Sequence, residues 1–330
     1  MDHPFNPKRR TLLAAAGGSL LLGAALPGLA QTASGSGPIK IVVPFSPGTT
    51  PDLMARLLDP RLSQRLGRPV IVDNKPGASG ILGMDAVAKA APDGQTLMIG
   101  TSTALTIPYF YKKVPFDVIQ SFQPITMIGR TNFALVAHPS LPVANAKELI
   151  AYLKKNPGKL TYGSPGKGTF HHLVMEQLAS QTGTTITHVP YKGSAGVFTD
   201  LVGGHVNLAI MPLHVAAPLE ASGKLKIIGA TRAERDRSYP KIATLQEGGI
   251  TPFNNDAWYA VWGPKGMPKD MVASYAAALH EALGNEEVKS KLDQQGVSVT
   301  PGTPEDLTRI SHAEYEHWGR VIKAANIQPE

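Results

Sequence analysis

From Ile39 onward, short apolar runs alternate with longer amphipathic ones. Ile39-Lys40-Ile41-Val42-Val43 predicts a strand, Asp52 to Leu66 a helix, Val70 to Val72 a strand, Ile81 to Ala90 a helix and Thr96 to Ile99 a third strand. A second set follows, with strands at Phe133 to Ala137, Leu160 to Tyr162 and Thr185 to Val189, and helices at Asn145 to Lys155 and Phe170 to Gln181. Further strands are expected at Val206 to Ile210, Leu225 to Ile228 and Trp258 to Trp262, with a short helix at Val215 to Ala221. Brief β-rich runs between helices of roughly ten to fifteen residues predict an α/β protein, with a mostly parallel sheet flanked by helices.

Three helical stretches close the chain, Lys269 to Leu283, Glu286 to Gln295 and Pro304 to Lys323. They have no later strands to cover, so they are expected to return to the first sheet. One lobe is thus placed at residues 39–131 plus 256–330 and the other at 132–255, with crossings near Arg130 and Asn254. Two such connections make a hinge, and the cleft between the lobes is the natural place for a ligand.

The first thirty residues follow a different pattern. Lys8, Arg9 and Arg10 precede an apolar run from Leu12 to Leu26, then Pro27-Gly28-Leu29-Ala30. This reads as a signal peptide over residues 1–30, cleaved after Ala30, with a retained anchor as the alternative. The Arg9-Arg10 pair before Thr11-Leu12-Leu13 resembles a twin-arginine export signal, leaving the route open. Residues 31–38 form a Gly/Ser-rich flexible leader. The expected location is the periplasm.

The chain has 330 residues, 42% of them hydrophobic and 17% Asp, Glu, Lys or Arg, which is a globular composition. It has no cysteine, which excludes disulfides and thiol nucleophiles. Its formal charge of +7 falls to +5 when Lys8, Arg9, Arg10 and Asp2 leave with the signal. The basic residues are scattered rather than gathered on one helix or arm, which argues against nucleic acid. An excess of positive charge fits an anionic solute.

Three loops join a predicted strand to a helix. The first, Phe45-Ser46-Pro47-Gly48-Thr49-Thr50-Pro51-Asp52, sets a permissive glycine and hydroxyls at Ser46, Thr49 and Thr50 beside the unpaired amides of a first helical turn. Such a turn attracts a carboxylate or phosphate, so Asp52 should point aside or hold the loop. The second loop runs from Gly163 to His172 and offers Ser164, Gly166, Gly168 and Thr169. Lys167 in that loop either reaches a second acidic group or is simply solvated. The third, Asn74 to Gly80, either shapes the cleft wall or is a plain turn. Thr101 and Ser102, at another strand end, are candidates for hydroxyl contacts.

Catalysis finds less support. Gly168 interrupts the Gly-Lys-Ser/Thr order that a Walker loop requires, and neither a G-x-S-x-G elbow nor a G-x-G-x-x-G turn follows a suitable strand. His171-His172 has no metal-ligand spacing and is expected to cap or pack. His188 and His205 have equally plain explanations. No cofactor and no metal are expected, and an enzyme acting on a small organic acid is the weaker reading.

Several segments carry a family resemblance. VVPFSPGTTPDLMARLL from Val42, VIVDNKPGASGILGMDAVAKAAPDGQTL from Val70, YGSPGKGTFHHL from Tyr162, HVPYKGSAGVFTDLVGGHVNLAI from His188 and WYAVWGPKGMP from Trp258 resemble the Bug/TctC-type receptors of tripartite tricarboxylate transport systems. The resemblance runs in order along nearly the whole of the chain after the leader. It implies a two-lobed periplasmic-binding-protein-like (Venus flytrap) fold that captures a small organic mono- or dicarboxylate for integral-membrane transporter subunits. A sensory partner is the alternative. Carried onto this chain, the implied contacts are Ser46, Gly48, Thr49 and Thr50, then Ser164, Gly166, Gly168 and Thr169. Gly48-Thr49 stands where the family commonly has two glycines, which changes the cleft volume. Ala209 and Met211 are expected to line the distal pocket. Phe170 and Tyr109-Phe110-Tyr111 offer aromatic surface suited to an aromatic acid, or serve as packing. An aliphatic dicarboxylate and an amino-acid-like ligand are equally open.

Overall fold

The computed structural model describes residues 37–324 and Ile327. The signal-peptide expectation lies outside the described residues, as does most of the leader. Among the described residues, no helix is long and apolar enough to cross a membrane.

In chain order the first elements are β1 (Ile39–Val43), α1 (Thr50–Leu66), β2 (Val70–Asn74), α2 (Ile81–Ala88), β3 (Thr96–Thr101) and β4 (Phe122–Thr131). Next come β5 (Phe133–Ala137), α3 (Ala146–Lys155), β6 (Thr161–Ser164), α4 (Phe170–Thr182), β7 (Thr187–Pro190), α5 (Ser194–Val202), β8 (Leu208–Pro212), α6 (Leu213–Ala221) and β9 (Lys226–Ala230). The chain ends with β10 (Ala257–Pro264), α7 (Lys269–Gly284), α8 (Glu286–Gln294), β11 (Val297–Val299) and α9 (Pro304–Ala324). One sheet has the order β11-β4-β10-β3-β1-β2 and the other β7-β6-β8-β5-β9.

The expected mostly parallel sheets are corrected to mixed ones. β1 is parallel to β2 and β3, but β10 runs antiparallel to β3 and β4, and β11 antiparallel to β4. In the other sheet β6 is parallel to β7 and β8, while β5 runs antiparallel to β8 and β9. The cause is the route of the chain. β4 passes into β5 with only Asn132 between them, and β10 brings the chain back to the first sheet. A chain that leaves a sheet on one strand re-enters it on a strand pointing the other way, so the crossing strands β5 and β10 pair antiparallel with both neighbours; β11 adds one further antiparallel pair at the sheet edge.

What remains parallel is the same unit twice. β1-α1-β2-α2-β3 and β6-α4-β7-α5-β8 each place the first strand between the second and third. Such an arrangement reverses winding beside its first strand, and ligands of open α/β sheets bind outside the carboxyl end of that strand. The loops after β1 and β6 are therefore the two topologically favoured sites.

Three elements escape the hydrophobic pattern. β4 contains Pro124 and Gly129, which interrupt its alternation, yet it is held between β10 and β11. β11 has three residues, and α5 starts directly after Gly193. The core lies on the faces of both sheets: Ile41, Leu58, Ile99 and Leu279 form one cluster, and Leu135, Tyr162, Leu173 and Ile210 another. On α9, Leu307 is buried with Trp258, whereas Trp318 and Ile322 join the cluster of Phe170 and Leu173. The last helix thus packs on residues of both sheets.

Candidate ligand-binding site

The loops after β1 and β6 are built alike. Gly48 has φ 81° and Gly168 φ 74°, left-handed values that favour glycine. Thr49 and Thr169 follow as extended N-cap residues of α1 and α4. Each threonine turns its hydroxyl back into its own loop: Thr49 Oγ1 donates to the Ser46 carbonyl at 2.8 Å, and Thr169 Oγ1 to the Gly166 carbonyl at 2.8 Å. Each glycine amide donates to the side chain four residues on, Gly48 to Asp52 Oδ2 at 2.8 Å and Gly168 to His172 Nδ1 at 3.1 Å. A side chain in the first turn thus reaches back to lock the loop, a variant of the capping box. The first-turn amides of Thr50 and Asp52, and of Phe170, His171 and His172, have no partner within their helices.

The two locks differ in charge. Asp52 is buried, 2% exposed, and also receives Arg56 Nε at 3.2 Å. Arg56 continues to Asn74 Oδ1 at 3.0 Å, and Asn74 donates to the Phe45 carbonyl at 3.2 Å. Burial works to raise the Asp52 carboxyl, but hydrogen bonds from Arg56, Gly48 and Asn74 outweigh it and hold the group below the usual carboxylate range. Its charge is spent on the loop, as the sequence required.

His172 performs the same task while neutral. Its Nδ1 accepts, so the ring proton lies on Nε2, 3.8 Å from Glu176 Oε1. The ring stacks on His188 at 4.0 Å, and His188 Nε2 lies 2.7 Å from Ser164 Oγ. Burial, followed by the charges of His188 and Lys167, pushes His172 down to about 3. Burial and Lys167 push His188 down to about 4. Ser164 Oγ also accepts from the Gly166 amide at 3.2 Å. Ser164 is fully buried and serves as a loop organiser.

The third loop brings the other two together. A Cβ placed on Gly80 would stand 3.3 Å from Pro44, at the start of the first loop, and one on Gly166 would stand 3.7 Å from Ser79 Oγ. Ser79 Oγ donates to the Lys167 carbonyl at 3.2 Å and lies 2.8 Å from the Tyr111 hydroxyl. Thr106 Oγ1 donates to the Gly168 carbonyl at 2.7 Å. Thr50 belongs to the same region, because the buried Tyr259 lies close enough to bear on Thr50 and Thr131 and pairs in register with Thr101.

Other candidates lie deeper. Phe170 is 4% exposed, its ring 4.8 Å from Phe133 and 6.5 Å from Trp318. Ala209 and Met211 are fully buried on β8 against Val197 and Leu201, and Ser102 is buried beside its turn. These four pack beneath or beside the loops. Lys167 is half-buried and close enough to bear on both His172 and His188. Thr106 and Tyr259 carry no sequence signal, since a lone threonine or strand tyrosine is ordinary. Among the described residues no cluster of His, Asp or Glu could hold a metal.

The family model for the tripartite tricarboxylate transporter family receptor, TctC, matches residues 54–327. The chain belongs to the TctC receptor family. Among solved structures, Rpa4515 of R. palustris with adipate has a TM-score of 0.82 and 35% identity, covering 88% of this chain and 98% of that one. The periplasmic binding protein BugD has a TM-score of 0.80 and 31% identity, over 89% and 99% of the two chains. MatC of Rhodopseudomonas palustris with bound malate has a TM-score of 0.77 and 28% identity, over 86% and 98%. This TctC protein is a periplasmic solute-binding receptor, not an enzyme, with the two-lobed α/β fold of these relatives.

Proposed function

We propose that this TctC receptor captures a small organic carboxylate between the loops after β1 and β6 and delivers it to membrane transporter subunits. The observation that carries the reading is the duplicated glycine–threonine turn, which leaves two sets of first-turn amides without partners in their helices and would present both to one cleft. Amides and helix dipole together favour an anion. Of the candidate residues, Thr50 and Phe170 would offer amides, and Ser46 and Thr101 hydroxyls. Gly48, Thr49, Ser164, Gly166, Gly168 and Thr169 would keep the turns in shape. Ser102, Ala209 and Met211 would back the cleft, and Lys167 would add positive charge.

Adipate in Rpa4515 and malate in MatC make an aliphatic dicarboxylate the first class to test. The aromatic side chains nearest the loops are committed to packing, which favours an aliphatic acid over an aromatic one. Charge-assisted hydrogen bonds contribute about 1.5–3 kcal/mol each, so three or four suffice for micromolar binding once ordering costs are met. The moving bodies would be residues 39–131 with 256–330, and residues 132–255. A sensory protein is the other partner such a closing receptor would serve.

The test is a thermal-shift panel of C4 to C6 mono- and dicarboxylates, followed by calorimetry and native mass spectrometry of the purified protein. A saturable shift with adipate, malate or a near homologue supports the reading. No shift with any acid, and no acid carried through purification, overturns it.

A further inference from the structure

Ser79 and Thr106 lie between strands of the first sheet, and both touch the loop after β6. The Ser79 hydroxyl donates to the Lys167 carbonyl at 3.2 Å and lies 2.8 Å from the Tyr111 hydroxyl. The Thr106 hydroxyl is 2.7 Å from the Gly168 carbonyl and 2.8 Å from the Thr103 carbonyl. Each hydroxyl carries one proton. Each therefore has one partner across the cleft and another on its own side.

We infer that Ser79 and Thr106 form a reversible latch, holding the two lobes closed directly and independently of the ligand's own contacts. The inference rests on the closing cleft proposed above. When the lobes part, Thr106 turns to Thr103 and Ser79 to Tyr111, so neither the buried Thr106 hydroxyl nor the half-buried Ser79 hydroxyl is stranded. Leaving a buried donor unpaired is what makes most broken contacts expensive. A latch with local alternatives avoids that cost and releases readily, as a receptor that must surrender its cargo requires.

Two further observations support the latch. Ala78 and Ser79 have φ 47° and 55°, left-handed values that residues with a side chain rarely adopt. Such strain persists where the surroundings hold it, and here it aims Ser79 Oγ at Lys167. Phe110, one turn beyond Thr106, is buried in the cluster of Phe170 and Leu173 and leans on Gly168. An apolar contact thus lies beside the two hydrogen bonds.

The chain contains no cysteine, so spin labels on Gln64→Cys and Lys154→Cys report a single interlobe distance. The distance distribution is measured with and without adipate, and adipate association and dissociation rates by stopped flow. Ser79→Ala and Thr106→Val should each lower the closed-to-open ratio roughly threefold to tenfold, and together multiplicatively. Adipate dissociation should accelerate by the same factors, with association unchanged. Thr106→Ser keeps the hydroxyl and should behave as wild type, which separates the latch from general loss of packing. Ser79→Gly removes the strain and the hydroxyl together and should open the protein like Ser79→Ala.

An unchanged distance distribution in the double variant overturns the latch, even where adipate binds. A wild-type protein that shows no closed population in either condition also overturns it. A shifted distribution in a protein that ignores every acid sustains the latch and rejects the carboxylate reading instead.

Discussion

Gly168→Ala places one methyl group where closure is tightest. An ideal Cβ there would stand 2.8 Å from Phe110 Cδ2 and 3.0 Å from Cγ. Ordinary carbon–carbon contacts begin near ~3.5 Å, so the methyl intrudes by about 0.7 Å. Phe110 is only 3% exposed and packs in the cluster of Phe170 and Leu173. Overpacking of this kind costs about 1–3 kcal/mol. The left-handed φ of 74° adds about 1–2 kcal/mol for alanine. That second cost is present whether the cleft is open or closed and cancels in binding; the clash applies to the closed form alone.

Affinity for adipate should therefore fall about 5- to 150-fold by calorimetry. Gly183→Ala supplies the control, because Gly183 has φ 63° and nothing within 4 Å of its added Cβ. It should lower the melting temperature and leave affinity unchanged. Trimming the ring in Gly168→Ala/Phe110→Leu should recover part of the loss, a coupling that a double-mutant cycle measures. Wild-type affinity in Gly168→Ala, or no recovery in the double variant, refutes the steric argument.

Asp52→Asn removes the charge that holds Gly48 and Arg56, and should cost about 1–3 kcal/mol in urea unfolding together with weaker acid binding; an unchanged midpoint rejects the lock. His172 and His188 stay neutral in the fold down to about 3 and 4, well below the ordinary value of 6.5. Between pH 6.5 and those values only the unfolded chain takes up their protons, so the stability they carry is complete above pH 6.5 and declines as the pH falls. The slope should approach ~1.4 kcal/mol per pH unit for each ring, the buried His171 adding its own share from about 4, and His172→Gln should remove one ring's share; identical pH profiles for the variant and wild type contradict the assignment. Asp256 lies 2.8 Å from Arg130 Nη1 and 3.8 Å from Arg232 Nε, where the chain crosses between sheets. Burial raises the Asp256 carboxyl against the pull of both arginines, and both guanidinium groups are partly exposed, so Asp256→Asn should destabilise the protein by about 1 kcal/mol in the same assay, whereas a loss under about 0.5 kcal/mol would place the pair among ordinary surface contacts.

Much of the fold is legible because the β1-α1-β2-α2-β3 unit and, α5 apart, the β6-α4-β7-α5-β8 unit alternate short β-rich runs with longer helices. Their direction relative to β5 and β10 is not legible, since antiparallel pairing follows from where the chain crosses between sheets. β4 is hidden by Pro124 and Gly129, which local pattern treats as breaks, although neighbours on both sides hold it. At the site, glycines and hydroxyls mark both loops correctly as places where a helix begins. Which donors are already engaged cannot be read that way. Gly168 donates to His172, and Ser164 to its own loop or His188, through ring orientations set by packing. Phe170 looks available beside a glycine loop, yet Phe133 and Trp318 enclose it from elements distant in the chain.

A crystal structure of the protein with adipate tests the central claim most directly. The account predicts carboxylate oxygens within hydrogen-bonding distance of the first-turn amides of α1 and α4, with the Gly48–Asp52 and Gly168–His172 bonds intact. An acid held at another place, with both turns untouched, would contradict it.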